Sequence, residues 1–398
     1  MKFSALLPTR NRLEYLKFAV DTVRRQDYDD WEIVISDNAS DENIGQWVDT
    51  LQDGRVKYSR SDQFVPVTDN WNRSLVHSSG DWVIMLGDDD GLMPGYFSRA
   101  AALMEEFGSP DLIYTSGYLY AYPGVLPDHP QGLLDHHRNA EFLISSSRPF
   151  WLTAQQSRRL VHDSLNFKMK FTYNMQYSLI SRGLIDSMLK DGPFFQSPFP
   201  DYYATNVMFL KAARILVDPE PMVAIGITPK SYGFFLFNNR EVEGVDFLQT
   251  ETMIRLAPPR HELLPGTNMN TSWLLAMEVV AKNYGLHLSY NRYRRLQIMH
   301  VLRGRVDGQI TEDTYRELTK QMYPWERAVY GTALFMVTAA VKLLRGRMRK
   351  IFRRSVRRLE KWVRASTEWQ PETPTTHYAN MVEVFEGAST DLHRIGTQ

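Results

Sequence analysis

The chain of 398 residues contains no cysteine. That absence excludes disulfides, thiolate metal sites and cysteine nucleophiles, and it suits a reducing compartment. Charge of one sign is missing too: 46 Lys and Arg balance 46 Asp and Glu, so no global field points to nucleic acid as a partner. Long apolar runs are also absent. The longest uncharged one, 328–341 (AVYGTALFMVTAAV), falls short of the ~18–20 residues that cross a bilayer as a helix. The apolar run from Phe3 to Pro8 is too brief for a signal peptide. No G-x-G-x-x-G follows the first predicted strand, and neither H-E-x-x-H nor G-x-x-x-x-G-K-[ST] occurs. These gaps disfavour a Rossmann dehydrogenase, a zinc protease and a P-loop enzyme.

What is present is an alternation of short apolar runs and helical patterns over the first ~115 residues, the mark of a parallel α/β sheet. Phe3–Leu7 reads as a strand ended by Pro8, and Leu13, Leu16, Ala19, Val20 and Val23 then recur at helical spacing. Further strands are expected at Trp31–Ile35, Val56–Tyr58, Trp82–Leu86 and Asp111–Thr115. Residues 117–150 lack a period and read as a long loop over the site. The expected organisation is a catalytic domain over 1–257, a linker over 258–267 around Pro258-Pro259 and Pro265-Gly266, a helical region over 268–366 and a poorly ordered tail over 367–398.

Three consecutive carboxylates, Asp88-Asp89-Asp90, follow the predicted strand at Trp82–Leu86. They repel one another unless something positive sits between them, and a hard divalent cation with oxygen ligands is the usual solution. In an open α/β sheet, ligands bind at the C-terminal strand ends. Mg²⁺ or Mn²⁺ held there by one or two carboxylates takes its other ligands from a diphosphate. The bland alternative, a solvated acidic turn or cap, fits three acids alone equally well.

Company in the right order tilts the balance. The first strand ends in Pro8-Thr9-Arg10-Asn11-Arg12, the second in Ser36-Asp37-Asn38-Ala39-Ser40-Asp41, and the acidic triplet runs on through Gly91-Leu92-Met93-Pro94. Here the chain resembles family-2-type nucleotide-sugar glycosyltransferases of the GT-A fold, whose corresponding elements read PTxNR, DNxSxD and D-x-D followed by xLxP. The resemblance extends over about the first 230 residues. It implies an α/β fold with a mostly parallel, Rossmann-like sheet flanked by helices, here with a mainly helical C-terminal region. It also implies a nucleoside-diphosphate-sugar donor, a glycan or lipid-linked acceptor and Mn²⁺ or Mg²⁺. Carried over by position, Pro8, Thr9, Arg10 and Asn11 line the nucleotide pocket, Asp37 and Asn38 face the base or ribose, and Asn72 faces base or donor. Asp89 and Asp90 fall to the metal and Asp88 to the donor. One departure stands out: Gly87 occupies the place of the motif's first acid.

Inverting transfer in one displacement requires a carboxylate to take the acceptor's proton. Asp201, in Phe199-Pro200-Asp201-Tyr202-Tyr203 ahead of a helical run, resembles the family's E-D element, with Pro200 in place of the first acid. The competing role is a helix N-cap. Tyr202 and Tyr203 offer a sugar platform, and Lys230 in Thr228-Pro229-Lys230-Ser231 a contact to the diphosphate. His129, His136 and His137 with Asp128 and Asp135 fit no established zinc spacing and read as a surface loop. Finally, 342–364 holds eleven Lys or Arg and one Glu interleaved with apolar residues, a basic amphipathic helix suited to an anionic membrane surface or to packing on the catalytic domain. The rival functions are a sugar nucleotidyltransferase, which needs a glycine-rich loop absent at Pro8-Thr9-Arg10, and a non-catalytic nucleotide-sugar-binding or membrane scaffold.

Overall fold

The computed structural model describes residues 1–137, 140–144, 146–237, 243–244, 263–332 and 377–387. Four strands open the chain: β1 (Phe3–Thr9), β2 (Trp31–Asp37), β3 (Val56–Arg60) and β4 (Trp82–Met85). All four are parallel in the order β3-β2-β1-β4. β1 and β2 are buried on both faces, so they read as continuous apolar runs and not as alternating ones. Helix α1 (Leu13–Arg24) buries Leu16, Ala19, Val20, Thr22 and Val23, and full burial of Leu16, Val20 and Val23 contributes ~1.5–3 kcal/mol each. Helices α2 (Ile44–Thr50) and α3 (Val67–Val76) make the next two crossovers, and β5 (Gly91–Leu92) and α4 (Tyr96–Phe107) follow the acidic triplet.

The other half of the sheet is mixed. β6 (Leu112–Ala121) runs on past the expected end of its strand, and β7 (Leu133–His137) folds back on it antiparallel. The stretch expected to be a loop over 117–150 thus begins as sheet. Tyr118, Tyr120 and Ala121 are all buried, and a strand flanked on both faces carries no alternation to betray it. After α5 (Glu141–Ile144), β8 (Phe150–Leu152) and α6 (Ala154–Leu165), a single 3₁₀ turn at Met175–Tyr177 leads into β9 (Ser178–Ser181). β9 lies antiparallel between β4 and β6. Helices α7 (Arg182–Leu189) and α8 (Pro200–Lys211) precede β10 (Ile215–Ile227), parallel to β6. Pro219 and Pro221 do not end β10 because the register shifts there, as bulges allow.

Past α9 (Tyr232–Phe237), helices α10 (Met269–Tyr284), α11 (Tyr290–Asp307) and α12 (Glu312–Gln321) join the same apolar core. Trp273 Nε1 donates to the Ser164 carbonyl at 2.9 Å, and the Leu264 amide donates to Tyr293 Oη at 3.0 Å. The described end of the expected linker, from 263, is therefore packed; residues 258–262 lie outside the described residues. The expected tail also departs from expectation. Residues 381–387 form a helix on which Met381 and Val384 are buried, tied down by Tyr120 Oη donating to the Tyr378 carbonyl at 2.8 Å and by an Arg25–Glu386 ion pair. Its apolar residues lie four and three apart, too short a pattern to stand out in a polar tail. Among the described residues no helix is long and apolar enough to cross a membrane. The basic stretch 342–364 lies outside the described residues.

Candidate active site

Strand register aligns the site. Thr9 pairs with Asp37 and Asp37 with Arg60, so three side chains stand in a row at the C-terminal edge of β1, β2 and β3. The Leu86 amide still donates to the Leu6 carbonyl at 2.9 Å, delivering the acidic triplet to the same edge. This is where an open α/β sheet binds ligands.

The three aspartates do different jobs. Asp90, 2% exposed, accepts from the Gly226 amide on Oδ1 (2.8 Å) and from the Gly87 amide (2.9 Å) and Gln176 Nε2 (2.5 Å) on Oδ2. Burial, and then the charge of Asp89, push its carboxyl up to about 8 against the pull of those donors. With both oxygens consumed, Asp90 is a brace between the triplet, β10 and the 3₁₀ turn. The expectation that it ligates metal is corrected on that ground. Gly87 acquires a reason as well: a Cβ there lies 2.4 Å from Asp90 Oδ2, so an acid in that place excludes the brace. Gly226 is equally constrained, since its Cβ meets the Asp89 carbonyl oxygen at 1.9 Å.

Asp88 and Asp89 face a cation that the chain supplies. Arg12 Nη1 donates to Asp88 Oδ1 at 2.5 Å, and Nη2 lies 3.3 Å from Asp89 Oδ2, which also accepts from Thr228 Oγ1 at 3.0 Å. Burial opposes the Arg12 charge, but the Asp88 and Asp89 carboxylates outweigh it and raise the guanidinium above its ordinary value. Burial lifts Asp89 to about 6, with Arg12 lowering and Asp88 raising it. Lys230 Nζ, expected at a diphosphate, donates to the Asn11 carbonyl at 2.7 Å, and the Lys230 carbonyl accepts from Arg12. The loop at Thr228–Ser231 is thereby latched onto the loop after β1.

The nucleotide-side residues divide in the same way. Asn11 adopts the left-handed region at φ 54°, which Asn tolerates, and exchanges hydrogen bonds with Asp41 (2.7 and 3.1 Å). Asp37 is fully buried and accepts from the Ser40 amide (2.9 Å) and Tyr58 Oη (2.7 Å). Asn38 clips Val65, donating to its carbonyl (2.8 Å) and accepting from its amide (2.9 Å). Asn72 does the same with the backbone of Phe195 (2.9 and 3.0 Å). Each amide clips a loop through its oxygen and one N–H, and this structural role replaces the donor-facing one expected of both. Pro8 is partly buried at the end of β1. Thr9 Oγ1 and Arg10 Nε are buried without hydrogen-bond partners among the described residues, and the Arg10 guanidinium lies 4.2 Å from the centre of the Phe64 ring. Asn72→Ala is expected to leave donor affinity unchanged while destabilising the fold by ~1–3 kcal/mol through the buried groups it unpairs, as read by urea unfolding beside a donor titration.

Asp201 is not the cap of α8. Phe199 holds that position, without a side-chain cap, and Asp201 lies in the first turn behind Pro200. It is partly buried, its Oδ1 accepts from the Tyr202 amide at 2.9 Å, and burial pushes its carboxyl up to about 7. Its environment is aromatic: the Tyr173 and Tyr202 rings are 4.3 Å apart, and the Phe199 and Tyr232 rings 6.2 Å. Two connections tie this wall to the acids. Thr205 Oγ1 on α8 donates to the Tyr173 carbonyl at 3.0 Å, three residues before Gln176 reaches Asp90, and Tyr232 follows directly on the loop whose Thr228 holds Asp89. Tyr202 and Tyr203, expected as a platform, are buried in the core.

Among the described residues no group of three or more His, Asp or Glu is arranged to hold a metal. Mg²⁺ and Mn²⁺ need only one or two carboxylates when a diphosphate completes the shell, and the hard oxygens of Asp88 and Asp89 fit that pattern. The histidine set is split: Asp128 and His129 lie in the turn ahead of β7, as expected of a surface loop, whereas Asp135, His136 and His137 lie on β7, with Asp135 and His137 buried and burial pushing His137 down to about 4. Residues missed from sequence are Arg12 as the counter-ion and Gln176 and Gly226 as braces; only Arg12, opposite an acidic triplet in the first loop, carried a signal.

Residues 4–143 match the family described as Glycosyl transferase family 2. Over those residues the chain is similar to the family 2 glycosyl transferases. The match takes in Thr9, Asp37 and Asp88–Asp90 but stops before Asp201. Among curated relatives, the Escherichia coli K12 protein WcaA, provisionally named as a colanic acid biosynthesis glycosyl transferase, is 29% identical over 135 residues, 32% of this chain and 48% of that protein. The Campylobacter jejuni GalNAc(5)-diNAcBac-PP-undecaprenol beta-1,3-glucosyltransferase is 36% identical over 100 residues, 24% of this chain and 32% of that protein. The chain thus spans less than half the length of each. The solved structure of S. aureus TarS 1-349 in complex with UDP-GlcNAc aligns over 83% of this chain and 92% of that one, with 17% identity and a TM-score of 0.47.

Proposed function

We propose that the chain moves a sugar from a nucleoside-diphosphate sugar to an acceptor hydroxyl, with inversion and with Mn²⁺ or Mg²⁺, in surface polysaccharide or glycolipid assembly. The observation that carries this reading is the pairing of Asp88 and Asp89 at the C-terminal sheet edge with an acid of raised pKa, Asp201, on a wall tied to the same edge. Thr9 Oγ1 and Arg10 Nε offer unspent hydrogen-bonding capacity to the nucleotide. Asp88 and Asp89 would hold the metal, which neutralises charge on the departing diphosphate. Asp201 takes the proton as the acceptor oxygen bonds to the anomeric carbon. The bond from that carbon to the diphosphate oxygen breaks, and the electron pair leaves with the diphosphate. A carboxyl poised near 7 suits this task, because it is both substantially ionised and basic at neutral pH. The test is a binding and hydrolysis screen across UDP-, GDP- and dTDP-sugars with Mn²⁺; a chain that binds none of them contradicts the reading.

A lipid-linked acceptor at a membrane surface is the finer part of this proposal. The name of the Campylobacter relative specifies an undecaprenol diphosphate. Here Trp325 (60% exposed) and Val329 (58%) stand one turn apart on a helix over 324–332, which precedes the basic stretch 342–364 in sequence. Apolar anchors beside basic residues favour an anionic interface, at about 1 kcal/mol per Lys or Arg. Vesicles containing phosphatidylglycerol are expected to sediment the full chain several-fold better than phosphatidylcholine vesicles, and Trp325→Glu with Val329→Glu to reduce that binding; equal binding to both vesicles contradicts it.

A further inference from the structure

Asp88 and Asp89 already share a cation. The Arg12 guanidinium is held by Asp88 Oδ1 at 2.5 Å, by Asp89 Oδ2 at 3.3 Å and by the Lys230 carbonyl. We propose that Arg12 is a built-in counter-ion that keeps a divalent cation off Asp88 and Asp89 until a nucleoside diphosphate enters, so that metal and nucleotide load together. The proposal rests on reading this edge as the donor site.

The physical case is one of competing charges. Two adjacent, buried carboxylates need positive charge between them, and in this arrangement Arg12 provides it. A metal arriving alone meets oxygens already committed to the guanidinium and to Thr228 Oγ1, and it must sit beside a like charge in a poorly screened place. A nucleoside diphosphate changes the balance, because its phosphate oxygens offer Arg12 a bidentate partner of the kind guanidinium prefers. Release of Arg12 also frees the Lys230 carbonyl, which couples the latch at Thr228–Ser231 to donor arrival. Metal and nucleotide then strengthen each other's binding by the same factor.

The experiment measures Mn²⁺ binding to the full chain by the loss of the free-ion paramagnetic resonance signal, alone and with UDP, GDP or dTDP, corrected for the Mn²⁺–nucleotide complex in solution. Wild type is expected to bind Mn²⁺ at least ten-fold more weakly alone than with the nucleotide it accepts. Arg12→Met is expected to bind Mn²⁺ at least ten-fold more tightly than wild type without nucleotide and to lose most of the nucleotide effect, whereas Arg12→Lys, which keeps the charge, stays near wild type. Unchanged or weaker Mn²⁺ binding by folded Arg12→Met overturns the proposal. If Arg12→Met does not fold, the wild-type comparison decides alone: independent loading of metal and nucleotide overturns the gate while the donor-site reading stands, and a wild type that binds neither overturns both.

Discussion

Asp201→Asn is expected to lower turnover by ~10²–10⁴-fold, the range that a positioned general base supplies, while leaving donor affinity within about two-fold of wild type. Asparagine keeps the size of the side chain and its acceptance from the Tyr202 amide but cannot take a proton. The pH profile gives a second readout. With burial pushing the Asp201 carboxyl up to about 7, the wild-type rate should rise with pH through that value, since the base works only when ionised. Tyr173 and Tyr202, which feel the charge of Asp201, are held protonated by their own burial. Stability should move the other way. The folded carboxyl titrates above its ordinary 3.8, so between about 4 and 7 the unfolded chain gives up a proton that the folded chain retains, and stability falls as pH rises. Asn removes that penalty. Its unfolding temperature at pH 8 should therefore equal or exceed that of wild type, as expected where activity holds a group in an unfavourable environment. Lost activity together with a lower unfolding temperature and weakened donor binding would recast Asp201 as a structural residue.

The second large contrast lies between neighbours. Asp90→Ala is expected to destabilise the protein by on the order of 3–5 kcal/mol, because it leaves the Gly87 and Gly226 amides and the Gln176 side chain buried without their acceptor. Asp89→Asn should behave oppositely. Its remaining oxygen still accepts from Thr228 and the fold survives, while metal-dependent donor binding weakens by roughly a hundredfold, from the several kcal/mol that a metal contributes. Urea unfolding and donor titration of the two variants read both effects. Equal stability with equal loss of donor binding would return Asp90 to the metal.

The parallel half of the sheet was legible because its strands are short apolar runs broken by helices whose apolar residues recur three and four apart, as in Leu16, Ala19, Val20 and Val23. The rest was less so, each time because a tertiary partner overrode local pattern. β6 carries no alternation because both of its faces are covered, and β10 survives two prolines only through its bulges. In the site, residue types and spacing located the loops but not the division of labour within them. Asn38, Asn72 and Asp90 match motif positions, yet their side chains are engaged by Val65, Phe195 and Gly226, partners 27, 123 and 136 residues away. Arg12 illustrates the same limit from the other side. Three acids in a row implied a cation, and in this structure the cation is an arginine from the first loop.

The most direct test of the donor site is a calorimetric titration of the accepted nucleotide sugar with Mn²⁺ into wild type, Asp89→Asn and Asp201→Asn. Wild type and Asp201→Asn should bind equally, with Asp89→Asn weakened by roughly a hundredfold. Binding that survives in Asp89→Asn, or that disappears in Asp201→Asn, would contradict the assignment of these two acids to donor and acceptor.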